Sequence, residues 1–203
     1  MQTVHAFTRK DLPSNAASVQ VIRSKDSSTW PKLFPTSANL FISTLGSTKG
    51  AAGSLAAQRL IDYDLNLDLA RAAKAAGTKV YVLLSSNSAS ATSMFPYLKM
   101  KGELEVAVKA LEFDHTIILR PGLIIGPRSD FRGAEFAMQK LAGFVGGVLG
   151  NHGKDFWAQD AQVIARAAVS AGLQALGEDG KGVKVRELGQ AEIVRLGRTE
   201  WKL

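Results

Sequence analysis

Along this chain, short runs of β-branched and apolar residues alternate with longer stretches whose apolar residues recur at helical spacing. Residues 3–8 (TVHAFT) and 18–22 predict two short strands, and 24–37, polar and broken by Pro31 and Pro35, predicts a loop. Residues 39–44 (NLFIST) read as a continuous apolar strand ended by Leu45-Gly46, and Gly50 and Gly53 punctuate a second loop. From 54 to 76 the pattern is helical and rich in Ala and Leu, with Gly77 well placed as the C′ residue. Residues 79–84 predict a third buried strand, followed by polar 85–93. With Pro96 near its start, 97–112 predicts a helix; 115–119 predicts a strand and 120–127 a loop. Helices are expected over 132–149 and 160–176, with a glycine-rich, then mixed, tail from 177.

Strands alternating with helices of about 15–20 residues argue for an α/β fold with a largely parallel sheet. In such sheets ligands bind beyond the carboxyl ends of the strands. The polar groups of interest all follow strands: Arg9-Lys10, the segment from Thr44 to Thr48, Ser85-Ser86, and the segment from Arg120 to Pro127. That coincidence predicts a single cleft.

Composition narrows the function classes. At 203 residues and 46% hydrophobic, the chain suffices for one well-packed domain spanning 1–203. Cysteine is absent, which removes disulfides, thiolate metal sites and a cysteine nucleophile, and fits a reducing compartment. His5, His115 and His152 are scattered, so no metal site is expected. The net charge of +7 is dispersed, its densest group being Lys181, Lys184 and Arg186, so a solvated surface is expected rather than a nucleic-acid arm. No stretch of ~20 apolar residues predicts a transmembrane helix. The first eleven residues lack the apolar core of a signal peptide. Residues 136–149 (FAMQKLAGFVGGVL), with Lys140 the only charge, could rest on a lipid surface; a pocket lid or core helix is the simpler reading.

Tyr97 and Lys101 stand one helical turn apart. An ammonium beside a phenol favours the phenolate and lowers a pKa that starts near ~10, as a proton shuttle at a substrate oxygen requires. On spacing alone, an exposed Tyr–Lys contact accounts for the pair equally well. Ser85 and Ser86 close the preceding strand and could orient a carbonyl against the tyrosine, or merely cap a turn. In Arg120-Pro121-Gly122, Pro121 stiffens the backbone and Gly122 permits close approach of a flat ligand, although any tight turn has this composition. Leu45, Gly46 and Ser47 could line a cofactor's ribose and phosphates, or form a plain loop.

These pieces together resemble the atypical short-chain dehydrogenases/reductases related to the human Tat-interacting oxidoreductase-like protein. The likeness is greatest to the fungal, mitochondrial outer-membrane-associated branch (the FMP family). It rests on LGSTKGAAGS at 45–54, AKAAG at 73–77, LLSS at 83–86, YLKMKGELE at 97–105 and LRPGLIIGPR at 119–128. The resemblance implies a Rossmann-like, doubly wound, mainly parallel sheet. It implies Tyr97 as catalytic acid/base, Lys101 holding the nicotinamide ribose, and Ser86 or Ser85 orienting the substrate. It places Arg9 and Lys10 where the adenosine ribose is read, and arginine there accommodates a 2′-phosphate, so NADP is the expected cofactor. Asn66 falls where related enzymes often keep a helix asparagine. An unknown carbonyl or hydroxyl substrate and peripheral attachment to the mitochondrial outer membrane follow from the same resemblance; a cytoplasmic location is the alternative.

The pattern departs from that family in one respect. The glycine fingerprint normally lies about 20 residues before the ribose-reading position, which here falls before Met1. The expected fold is therefore N-terminally truncated, without its first strand and helix, and in the order 3-2-1-4-5-6 the absent strand is central. A piece of a longer chain, a short form without cofactor binding, and a sheet closed by rearrangement all fit this. A non-catalytic binding or regulatory protein on the same fold is the competing function.

Overall fold

Alternation of side chains builds the centre of the molecule. In the computed structural model, which describes residues 3–12, 18–126, 158–178 and 184–202, the strands β3 (Leu40–Ser43), β4 (Val80–Leu84), β5 (His115–Leu119) and β8 (Lys184–Leu188) form one parallel sheet in the order β3-β4-β5-β8. Leu40 pairs with Val80, Val80 with His115 and His115 with Lys184, so these strands start in step. A strand sends successive side chains to opposite faces. Val80, Val82, Ile117 and Leu119 therefore pack on one side against Val163, Ile164, Ala167 and Ala171 of the helix α5 (Ala161–Gly177). Tyr81, Leu83 and Ile118 pack on the other against Leu67 and Ala70 of α3 (Asn66–Ala75) and Leu104 and Val108 of α4 (Pro96–Lys109). Strands buried on both faces read as uninterrupted apolar runs, which is why VYVLL and HTIIL are legible in the sequence.

β1 (Val4–Thr8) and β2 (Val19–Arg23) pair with each other in parallel, in register Val4 to Val19. They form a two-stranded sheet distinct from the main one. Phe7 of β1 stacks on Trp30 and Phe34, and Phe34 meets Phe41 of β3 edge-on, so an aromatic row links the two sheets.

Several elements differ from expectation. The polar stretch 24–37 contains a 3₁₀ helix (Ser27–Leu33), capped by Asp26, whose carboxylate accepts from the Ser28 amide. The expected single helix over 54–76 is α2 (Leu55–Arg59), a π-helical segment (Leu60–Leu65) and then α3. It follows a short α1 (Lys49–Ala52). Within the expected loop 120–127 lies β6 (Leu123–Ile125), paired in parallel with β7 (Ala158–Asp160). The tail supplies β8, α6 (Gln190–Val194) and a π-helical turn (Arg195–Thr199). β8 was hidden because three of its residues are charged, and its outer edge has no described partner. Gly77, at φ +83°, closes α3 as expected. The helix expected over 132–149, with its lipid-facing reading, lies outside the described residues. No described helix is long and apolar enough to cross a membrane.

Candidate active site

Because β3, β4 and β5 run parallel and in step, their carboxyl ends deliver Leu45–Ser47, Ser85–Ser86 and Arg120–Gly122 to one edge of the sheet. Tyr97 enters from the first turn of α4, started by Pro96 at a position where a missing amide costs nothing. Tyr97 is 40% exposed, and Ser86 lies close enough to act on its phenol. The structure thus separates the two serines. Ser86 faces Tyr97, whereas Ser85 is buried and donates to Glu105 Oε1 at 2.5 Å. The Ser85 hydroxyl, read as a substrate contact, is engaged by Glu105 in this structure.

Lys101, one turn further, is only 3% exposed and donates to the main-chain oxygen of Leu84 at 2.9 Å. Burial lowers its pKa, against the raising effect of the Asp62 and Glu105 charges. The Tyr97 phenol is raised by burial and by the Asp62 carboxylate, with Ser86 acting in the opposite sense. The expected lowering of the tyrosine pKa is therefore reversed. Desolvation and a nearby anion outweigh an ammonium directed at Leu84.

The Asp62 carboxylate was not foreseen. It is 1% exposed, sits in the π-helical segment, and accepts from the Ser47 amide at 2.6 Å and from Gln58 Nε2 at 3.4 Å. Gln58 also donates to Ser47 O at 3.2 Å. Asn66 donates to Leu45 O at 3.1 Å and accepts from Ser43 Oγ at 2.5 Å, so it anchors the end of β3 and has no described free donor role. Gln58, Asp62 and Asn66 recur every four residues in an Ala/Leu-rich stretch; that polar stripe was the available signal. It holds the loop of Leu45, Gly46 and Ser47 in place and leaves the Ser47 hydroxyl buried without a described partner. Single-turn π segments recur at functional sites because they redirect side chains.

Glu105 was missed as well, although it continues the stripe Tyr97, Lys101, Glu105 along α4. Its two oxygens take Arg120 in a fork, Nε at 3.0 Å and Nη2 at 2.5 Å. Arg120 Nη1 meets Glu187 at 2.7 Å, and Lys109 meets Glu187 at 2.5 Å. This network ties the ends of β4 and β5 to α4 and β8. Arg120, read as a cofactor contact, is thereby committed to two carboxylates. The Gly122 amide donates to Gln159 Oε1 at 2.7 Å, and the main-chain oxygen of buried Pro121 accepts from the Asn87 amide at 2.8 Å. The Arg120-Pro121-Gly122 turn is fastened to β7 and to the loop after β4. Arg9 and Lys10 are exposed beyond β1, where the Lys10 amide donates to Thr8 Oγ1. No metal-binding group of acidic or histidine residues occurs among the described residues.

A dinucleotide's nicotinamide half would meet complementary groups here: the orphaned Ser47 hydroxyl, Lys101 and Tyr97. The pyrophosphate would find no glycine-rich turn opening a long helix among the described residues, since α1, which follows Ser47-Thr48, has four residues.

Comparison with known proteins agrees with this construction. A family model described as HIM1 matches residues 36–145. The mitochondrial protein fmp52 of Aspergillus clavatus is 48% identical over 204 residues, covering 96% of this chain and 86% of its own length. The mitochondrial fmp-52 of Neurospora crassa is 44% identical over 203 residues, covering 94% and 81%. Among solved structures, MoeE5 in complex with UDP-glucose and NAD superposes with a TM-score of 0.63 at 17% identity, over 92% of this chain and 67% of that one. A UDP-glucose 4-epimerase from Thermotoga maritima superposes at 0.59 and 14% identity, over 97% and 74%. At such identities the likeness shows a Rossmann-like fold and no more.

Proposed function

From the premise that this chain belongs to the HIM1 family, together with the fungal Fmp52 proteins, we propose that it is an oxidoreductase of the atypical short-chain dehydrogenase type, using NADP on a small carbonyl or hydroxyl substrate. The observation that carries the reading is the convergence of Ser86, just after β4, with Tyr97 and buried Lys101 of α4 at the carboxyl edge of a parallel sheet. The cofactor supplies the hydride that a protein side chain cannot. The chain's own groups handle the proton. Tyr97, held protonated by burial and by Asp62, is set to donate to a substrate oxygen, and Ser86 orients that oxygen. Lys101 and the Ser47 loop hold the ribose, and Arg9 and Lys10 favour a 2′-phosphate. The relation to the Tat-interacting oxidoreductase-like group belongs to this reading. So does peripheral residence at the mitochondrial outer membrane, supported by the word mitochondrial in the relatives' names.

Titration of the chain with NADPH, followed by its fluorescence, tests the proposal. Saturable binding, tighter than for NADH, is expected. Tyr97→Phe should abolish carbonyl reduction and leave that binding nearly intact. Absence of saturable binding would end the reading. It would then favour a non-catalytic binding protein on the same fold, a reading to which the occupied Arg120 guanidinium and Gly122 amide already lend weight.

A further inference from the structure

The loop after β4 is hydroxyl-rich and uncharged from Ser85 to Ser93, and two large apolar residues, Met94 and Phe95, follow before Pro96 starts α4. Apolar residues at a loop end ordinarily turn into the core. Here Met94 is 95% exposed, the most of any large hydrophobic among the described residues, and Phe95 is 70% exposed. Hydrogen bonds hold the tip in that posture. The Ser90 amide donates to Leu98 O at 3.1 Å, and the Ser93 amide to Ser90 O at 3.0 Å. The Phe95 amide donates to Ser93 Oγ at 3.2 Å, and Phe95 O accepts from the Lys99 amide at 2.9 Å. The two side chains therefore stand out from a fastened loop.

The charge around the tip has one sign. The segments after β3 (44–54) and after β4 (85–95) contain no carboxylate. Both α2 and α4 start at this edge of the sheet, and Arg59 of the one bonds Glu103 of the other at 2.7 Å. One turn back toward the edge come Leu55 on α2, 44% exposed, and exposed Lys99 on α4. Exposed Lys49 opens α1 in the loop after β3. The carboxylates of Asp62 and Glu105 are buried and hydrogen-bonded, so they offer no anion to the surface.

We propose that this tip is where the chain meets an anionic lipid surface. Met94 and Phe95, with Leu55 at their flank, enter the boundary between headgroups and acyl chains. Lys49 and Lys99 lie against lipid phosphates. Binding of this kind grows with the apolar area buried and with the attraction of cations to anionic lipid. A protein partner fits less well. A stable protein interface takes roughly 800 Å² from each side, and Phe95, the largest of the three apolar residues, offers about 150–250 Å². A bilayer needs no complementary shape. The proposal gives a contact surface to the membrane residence read above and rests on that part of the reading; no catalytic step enters it.

Flotation of the full chain with phosphatidylcholine vesicles, made with and without phosphatidylserine, tests it. The chain should float with the anionic vesicles and be released by high salt. Met94→Ser/Phe95→Ser should bind them about tenfold or more weakly, because the apolar burial is lost, with the circular dichroism of the chain unchanged. Lys99→Glu should weaken that binding about tenfold. The chain has no cysteine, so a polarity-sensitive dye on Met94→Cys reports that position alone. Its emission should shift to the blue on vesicles, and the same dye on Val185→Cys, exposed on β8, should not shift. Equal flotation of the double-serine chain, or a dye at position 94 that stays unshifted while the chain floats, overturns this surface and leaves the membrane residence standing. No flotation of the wild-type chain overturns the lipid contact. Binding to intact but not to protease-stripped mitochondria would then place a protein there, and binding to neither would end the residence as well.

Discussion

Gly102 sits in α4 one residue past Lys101, where helix propensity and packing disagree. A Cβ built on it would lie 2.2 Å from the carbonyl carbon of Ser90 and 2.3 Å from the nitrogen of Ala91. Both atoms are backbone of the loop that carries Ser86, and the Ser90 amide donates to Leu98 O at 3.1 Å, so the loop lies directly on the helix. By propensity alone Gly102→Ala would stabilise α4 by about 1 kcal/mol. Overpacking costs roughly 1–3 kcal/mol, occasionally more, and a main-chain obstacle cannot rotate aside, which places this case at the upper end. The expected net loss is about 2 kcal/mol, or a fall in Tm of roughly 4–8 °C at ~2–4 °C per kcal/mol. Urea denaturation of wild type and variant should show a lower midpoint with an unchanged slope. A Gly102→Ala chain as stable as wild type, or more so, would refute the argument: it would mean that loop 85–93 does not rest on α4, and the meeting of Ser86 with Tyr97 would lose its physical basis.

Three further outcomes follow from the network around the site. Glu105→Ala leaves Arg120 with Glu187 alone and should cost about 3 kcal/mol, while Glu105→Ala/Arg120→Met should cost less than the two single changes summed; denaturation of all three variants checks the coupling. Asp62→Asn removes the anion that raises Tyr97, so the tyrosine should titrate at lower pH, read by carbon-13 resonance of the labelled ring without any substrate. Glu187 is held below the ordinary carboxylate range, first by its bond to Lys109 and then by Arg120. Its stabilising contribution is therefore present above that range and lost as pH falls through the depressed value. A Glu187→Gln chain should show a shallower loss of stability in acid than wild type, measured by denaturation midpoints across the acid limb.

Within the chain, local pattern alone determined the elements whose neighbours are uniform. NLFIST, VYVLL and HTIIL announce strands because both faces are buried, and Gly77 announces a helix end because only glycine takes a positive φ without strain. The placement of polar groups at strand ends was legible for the same reason, and with it Tyr97, Lys101 and the serine pair. What the tertiary structure decided lies between segments distant in sequence. Ser85 and Ser86 are neighbours in the chain, yet Glu105 takes one and Tyr97 the other. Arg120 reads as a ligand contact until Glu105 and Glu187, from α4 and β8, close on it. The direction of the Tyr97 pKa could not be obtained from its spacing to Lys101, because burial and Asp62, 35 positions earlier in the chain, set the sign. β8 looked like tail because its charges hide an edge strand until β5 supplies the ladder. Periodicity records the average surroundings of a segment; hydrogen-bond partners and fields at a point depend on which other segments arrive there, and only packing specifies that.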